Sequence, residues 1–258
     1  MKPKILGSLT IIAGIIFACS IVSPVLQAQT INWQGYTWTI KSGTGLGPGP
    51  NEWNTNNVFV DTNGYLHLII SSNQVSGFWD CAELYTTTSL GFGTYQWQIE
   101  CRTDTLDPWV VLGLFPYAGP DGNNEIDFEY SRWGNSGNSN CWWTVYPKAG
   151  STIGQNPFTF SLGGTYTTSR FTWSSSGVDY WLMGGHQPVG TTTNVINTWS
   201  YTPSRFKRNI PQSAMPLHMN LWLYQGHDPS NEQPVEVIIH SFSKILSSHK
   251  RVDIERPG

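Results

Sequence analysis

The chain has 258 residues, 14 of them Lys or Arg and 17 Asp or Glu, for a formal net charge of −3 and a charged fraction of only 12%. No basic run stands out, which argues against nucleic acid as a partner, because neutralising a phosphate backbone takes clustered Lys and Arg. The length suits one all-β domain, and no internal repeat or linker divides it.

The amino terminus reads as an export signal. Lys2 and Lys4 form a positive start, residues 5–17 are mostly apolar, and small residues follow up to Leu26-Gln27-Ala28. The expected arrangement is a signal peptide over residues 1–28 and one domain over 29–258. The mature protein is then secreted or periplasmic, without stable membrane insertion. Two other readings of this segment stay open. Ile16-Phe17-Ala18-Cys19 loosely resembles a lipoprotein signal, with Phe17 a poor fit, and residues 5–26 could nearly span a bilayer as an uncleaved anchor.

Past the signal, no long stretch has helical periodicity. Short alternating or apolar runs recur at residues 58–60, 65–70, 95–101, 109–115, 171–173, 180–183, 215–223 and 235–242, between Gly, Asn, Ser and Thr clusters. That spacing predicts an antiparallel β-sandwich. Residues 43–50 and 134–140 read as surface loops, and the charged tail at 247–258 as a fraying end. Residues 81–101 read as a hairpin turning near Gly91-Phe92-Gly93. Cys81 and Cys101 are equidistant from Gly91, so a cross-strand disulfide is expected, with Cys141 free. Export permits disulfides, three mature cysteines leave at least one unpaired, and their spacing does not suit zinc. No metal and no cofactor are expected.

Two strands carry chemistry on one face. In Glu125-Ile126-Asp127-Phe128-Glu129 the three carboxyls alternate, so they share a face while Ile126, Phe128 and Tyr130 share the other. Like charges this close oppose each other's ionisation, so one proton is expected to stay among them. A protonated carboxyl beside an ionised one is what hydrolysis of a glycosidic bond needs. On a flat strand the outer Cα atoms stand roughly 13 Å apart. Retaining glycosidases hold their carboxyls about 5–5.5 Å apart, so the two Glu side chains must lean inward. In His218-Met219-Asn220-Leu221-Trp222-Leu223 the even positions form a polar and aromatic face over an apolar one. An indole that stacks beside an amide that takes hydroxyls suits a sugar ring. His218 on this face reads as a packed histidine rather than a partner for a carboxylate. Low charge with 13 Trp and 11 Tyr fits a neutral, ring-built polymer as ligand, although several of these rings must fill the core.

Together these segments resemble glycoside hydrolase family 16, and within it the bacterial licheninases. The resemblance covers most of the mature chain. It implies a concanavalin-like jelly roll with a concave cleft and a retaining endo-glycosidase acting on a β-glucan. It makes Glu125 the nucleophile, Glu129 the acid/base and Asp127 their assistant. Phe115-Pro116-Tyr117-Ala118-Gly119-Pro120 resembles the segment leading into the catalytic strand, which makes Tyr117 a sugar-stacking residue. Asp80-Cys81-Ala82-Glu83 resembles the segment supplying a substrate-contacting Glu, here Glu83. Trp53-Asn54-Thr55-Asn56-Asn57-Val58 looks like an early strand. Met219-Asn220-Leu221-Trp222 resembles the strand that lends Asn220 and Trp222 to the cleft.

The departures are specific. Tyr85 stands where licheninases carry an Arg. Asn51 replaces the cysteine that would pair with Cys81. Ile238 lies near a calcium-binding Asp of the family, so calcium is not carried over. The loop at 131–140, with Arg132 and Trp133, has no counterpart. The partner expected is a polysaccharide, most simply mixed-linkage β-1,3-1,4-glucan, and the protein is expected to be a monomer. Alternatives are a β-1,3-glucanase, a transglycosylase, or a non-catalytic lectin-like protein on the same fold.

Overall fold

A computed structural model describes residues 28–147 and 153–246. The proposed signal segment and the charged tail lie outside the described residues, apart from Ala28. In chain order the strands are β1 (Thr30–Trp33), β2 (Tyr36–Ile40), β3 (Gly43–Leu46), β4 (Asn51–Trp53), β5 (Val58–Val60), β6 (Leu66–Ser72), β7 (Trp79–Thr86), β8 (Gly93–Glu100) and β9 (Val110–Pro116). They continue as β10 (Glu125–Tyr130), β11 (Cys141–Tyr146), β12 (Gly154–Phe158), β13 (Tyr166–Trp173), β14 (Val178–Gly184), β15 (Val195–Tyr201), β16 (Leu217–Leu223) and β17 (Val235–Ile245). A four-residue helix, α1 (Phe206–Asn209), and three single 3₁₀ turns complete the described elements. Among these residues no helix is long and apolar enough to cross a membrane.

Antiparallel pairing builds two faces. One runs β1-β2-β7-β16-β9-β10-β11-β12. The other runs β5-β6-β17-β8-β13-β14-β15. The edge of β6 pairs with the start of β7, and β4 lies parallel to β7, so the two faces are stitched at one side. This is the antiparallel sandwich that the strand spacing predicts, in the jelly-roll form that the resemblance implies.

Alternation explains the core. Ile126, Phe128 and Tyr130 of β10 are fully buried, as are Met219 and Leu221 of β16. They meet Tyr95, Trp97, Phe171 and Tyr180 of the opposite face. Two hydrogen bonds cross between the layers: Tyr130 Oη with Ser169 Oγ at 2.7 Å, and Tyr180 Oη to the Thr144 carbonyl at 3.1 Å. A rigid apolar layer therefore lies directly beneath the acidic strand, and its other face is left for chemistry.

The predicted hairpin at 81–101 is not present. β7 pairs with β16 and β2 in one layer, whereas β8 pairs with β13 and β17 in the other. The Gly91 segment crosses between layers rather than turning back. Cys81, Cys101 and Cys141 are all free thiols, which corrects the expected disulfide. Cys81 instead donates to Asn51 Oδ1 at 3.4 Å, the residue standing in place of the family's cysteine. Residues 43–50 are also more ordered than a surface loop: β3 pairs with β4, and Trp53 Nε1 donates to the Leu46 carbonyl. The early-strand segment at 53–58 is broken by one 3₁₀ turn over Thr55–Asn57.

Candidate active site

Strand register carries the acidic motif to the floor of a cleft. β10 pairs with β11 in unbroken register, from Glu125 opposite Tyr146 to Glu129 opposite Trp142, without a bulge. Glu129 faces Gly113 of β9, Gly113 faces Asn220 of β16, and Asn220 faces Glu83 of β7. One row thus runs across four strands. A neighbouring row sets Phe115, His218 and Tyr85 side by side. Tyr117 bridges to Glu125. The cleft above has a volume of about 580 Å³, and Glu83, Tyr117, Glu125, Asp127, Glu129, Asn220 and Trp222 all line it.

Gly113 makes this row workable. A Cβ there would sit 2.5 Å from Asn220 Oδ1, so only glycine leaves room for the amide. Asn220 is buried, and its Oδ1 has no hydrogen-bond partner among the described residues. A buried amide oxygen without a partner is costly. A hydroxyl entering the cleft would satisfy it.

The three carboxyls perturb one another strongly. Burial pushes Glu125 up to about 7, the Asp121 carboxylate adds to the rise, and a hydrogen bond shared with Asp127 opposes it. Burial raises Asp127 well above its ordinary range, reinforced by Glu125 and Glu129, and the shared hydrogen bond leaves the proton on Asp127. Burial raises Glu129 to about 8, with Glu125 adding to it. All three are thus raised, and the hydrogen bond from Asp127 favours the ionised form of Glu125, whereas Glu129 has no such opposing partner. Two similar carboxyls are thereby given different surroundings: Asp127 donates to Glu125, and burial with a neighbouring charge favours the protonated form of Glu129.

Lys41, Asp121 and Tyr146 also line the cleft and were not singled out from the sequence. Glu83 accepts from Lys41 Nζ at 2.7 Å and meets His218 Nδ1 at 3.0 Å. His218 is stacked between Tyr85 and Phe115, with ring centroids 5.1 and 5.2 Å away. It is packed, as expected, but it also partners a carboxylate, which was not. Lys41 further bonds the Gly47 carbonyl and lies 4.2 Å over the Trp53 ring, so the β3–β4 segment brings Gly47 and Pro48 to the cleft. Tyr117 donates to Asp121 Oδ1 at 2.6 Å. Phe115 was legible from its place two residues before Tyr117. Lys41, Asp121 and Tyr146 carry no local signal of their role.

Among the described residues no group of three or more His, Cys, Asp or Glu could hold a metal ion. Ile238 sits on the opposite face between His67 and Glu100.

No family model matches the sequence, and no curated protein does. Solved structures match in fold. The β-glucanase of Bacillus licheniformis superposes with a TM-score of 0.61 at 20% identity, covering 86% of this chain and 99% of its own. A β-1,3-1,4-glucanase (lichenase) from a mouse hindgut metagenome gives 0.58 at 20% identity, over 80% of this chain and 92% of that one. An immunostimulatory antigen and pseudo-β-1,3-glucanase of Mycobacterium tuberculosis gives 0.61 at 20% identity, over 82% and 91%. The chain therefore has the jelly roll of the licheninase-like β-glucanases, and at these identities the likeness is one of fold.

Proposed function

We propose that the protein is an exported, retaining endo-glycosidase that hydrolyses internal β-glucosidic bonds, with mixed-linkage β-1,3-1,4-glucan as its substrate. The observation that carries this reading is the set of three carboxyls on one strand at the floor of a cleft, Asp127 buried and Glu125 and Glu129 half-buried, all three held above the ordinary carboxylate range. Glu125 attacks the anomeric carbon while Glu129 gives its proton to the leaving oxygen. Glu129 then takes a proton from water as that water displaces Glu125. Asp127 donates to Glu125 in the resting site and holds its carboxylate in place. Glu83, Tyr117, Asn220 and Trp222 bind the sugar chain. The glucanase names of several proteins with this fold support the substrate class. The unbroken register at Glu129 supports mixed-linkage over pure β-1,3-glucan, because many β-1,3-glucanases of family 16 carry an extra residue there and a bulge re-aims a side chain.

A lectin-like reading would keep the cleft but has little use for three crowded carboxyls. The Mycobacterium tuberculosis neighbour, called a pseudo-glucanase, makes the test worth running on purified protein. Glu125→Gln should abolish turnover of lichenan while sugar binding persists. Glu129→Gln should recover on substrates with good aryl leaving groups, which need little protonation. Reducing ends should appear faster from lichenan than from laminarin. Near-wild-type rates in both variants would sink the enzyme reading, and faster cleavage of laminarin would sink the linkage assignment alone.

A further inference from the structure

The loop at 131–140, which has no counterpart in the licheninase resemblance, ends in an aromatic shelf beside the acid/base carboxyl. Its Trp133 packs on Trp222 of the cleft, with centroids 6.3 Å apart, and edge-on against Tyr224 at 5.4 Å and Trp142 at 6.3 Å. Trp142 lies directly opposite Glu129 in the strand register. Trp109 supports the group from behind: it stacks on Tyr224 and fills the space where a Cβ on Gly134 would sit, 2.4 Å from its ring.

Three features set this cluster apart from core packing. Trp133 has φ +49°, a left-handed backbone that a bulky residue adopts only under constraint. Such strain is retained where the surrounding structure enforces a functional geometry. Here the enforcement is visible. Arg132 Nη1 donates to the Ser136 and Asn138 carbonyls, Asn138 Nδ2 donates back to the Arg132 carbonyl, and Trp142 Nε1 donates to the carbonyls of Ser131 and Ser139. Lastly, the indole N–H groups of Trp133 and Trp222 and the hydroxyl of Tyr224 find no hydrogen-bond partner among the described residues, yet none is sealed from water. Packed ring bodies with free polar tips are the surface a pyranose recognises: its C–H face lies on a ring and its hydroxyls meet the tips.

We infer that Trp133 and Tyr224, with Trp222 beside them, form a sugar-binding subsite on the Glu129 side of the scissile bond, occupied by the glucosyl unit that departs. The inference rests on the glycosidase reading above. The same subsite would hold an acceptor β-glucan. There an acceptor hydroxyl attacks the anomeric carbon, Glu129 takes the hydroxyl proton, and the bond to Glu125 breaks with its electron pair returning to the carboxylate.

The test uses the Glu125→Gln protein and a mixed-linkage glucan hexasaccharide, followed by calorimetry. W133A and Y224A in that background should each weaken binding about tenfold, while W133F stays within about twofold, since a phenyl ring keeps the stacking. Thermal unfolding is measured alongside. If W133A is not folded, Y224A and W133F carry the comparison. In the active protein supplied with excess cellobiose, Y224A should also lower the ratio of transfer product to hydrolysis product. Hexasaccharide affinity unchanged in folded W133A or Y224A, with Glu125→Gln still abolishing turnover, would overturn the subsite and leave the enzyme reading standing. Failure of Glu125→Gln to bind any β-glucan oligosaccharide, or to lose turnover, would overturn that reading and the subsite with it.

Discussion

Glu125 and Glu129 differ in environment more than in chemistry, and that difference has a measurable consequence. The proposed reaction needs Glu125 ionised and Glu129 protonated, and burial raises these two titrations to about 7 and about 8. The profile of kcat/KM against pH should therefore be bell-shaped, with its acid limb well above the ordinary Glu value of about 4.3. The two limbs belong to the carboxyl cluster as a whole. An acid limb near pH 4 would show that burial does not control the ionisation of the proposed nucleophile. Gly113 gives a second check. In Gly113→Ala the new Cβ meets the tip of Asn220 rather than backbone, so the fold should lose about 1–2 kcal/mol. The displaced amide, however, should raise KM for β-glucan several-fold. Urea unfolding and Michaelis kinetics on the same variant separate the two effects. Equal KM in variant and wild type would remove Asn220 from the binding site. These residues differ in how legible they are. The triad could be read from the sequence because alternation alone decides which face Glu125, Asp127 and Glu129 share. Lys41 could not, because it meets Glu83 only through pairings between strands distant in the chain.

At the scale of elements, the strands with strong patterning were legible, and their partners were not. β5 matches the predicted run at 58–60, and β16 presents His218, Asn220 and Trp222 to the cleft as alternation requires. β15 was not legible because, at the edge of its face, it buries no residue fully, exposes Val195, Thr198 and Ser200, and lacks a clean apolar repeat. The misjudged hairpin at 81–101 shows why pairing is harder to read. A glycine-rich turn between two strands looks alike whether the chain folds back or crosses to the opposite layer; long-range contacts decide. β7 is claimed by β16 and β2, and nothing is left on it for β8. The outcome is chemical as well as topological. Burial raises the Cys81 and Cys101 thiols to about 12 and Cys141 well above its ordinary range. Thiols held protonated oxidise poorly, the more so where they are buried, as Cys81 and Cys141 are, with Cys101 half-buried. Protein purified without reductant should thus show three reactive thiols per chain from Gln29 once denatured in guanidinium, and almost none while folded. A thiol count of one in denaturant would restore a disulfide.

For the whole molecule, the same carboxyls that serve the site should weaken the fold at alkaline pH. Each has a folded-state pKa above its unfolded value, so the folded protein holds protons that the unfolded chain has already released. Stability from this source is fully present below the ordinary carboxylate range and falls as pH rises through about 7 and about 8. The fold tolerates this because the apolar layer under β10, with Phe128 against Trp143 and Tyr180, is paired strand by strand on both sides. The charges therefore sit on a frame stable enough to hold them, the usual exchange of stability for an active arrangement. A Glu125→Gln, Asp127→Asn, Glu129→Gln protein removes the titration while keeping the shape. Its Tm should lie close to that of the wild type at pH 5 and exceed it by several degrees at pH 9. The pH-dependent gap is the informative quantity, because titrations elsewhere in the molecule are common to both proteins and cancel. The change can be followed by near-ultraviolet circular dichroism, to which a core holding Trp97, Trp143 and Trp173 gives strong signals. A gap that stays constant from pH 5 to pH 9 would mean that the triad is ionised without penalty, and would dissolve the electrostatic link drawn between fold and chemistry.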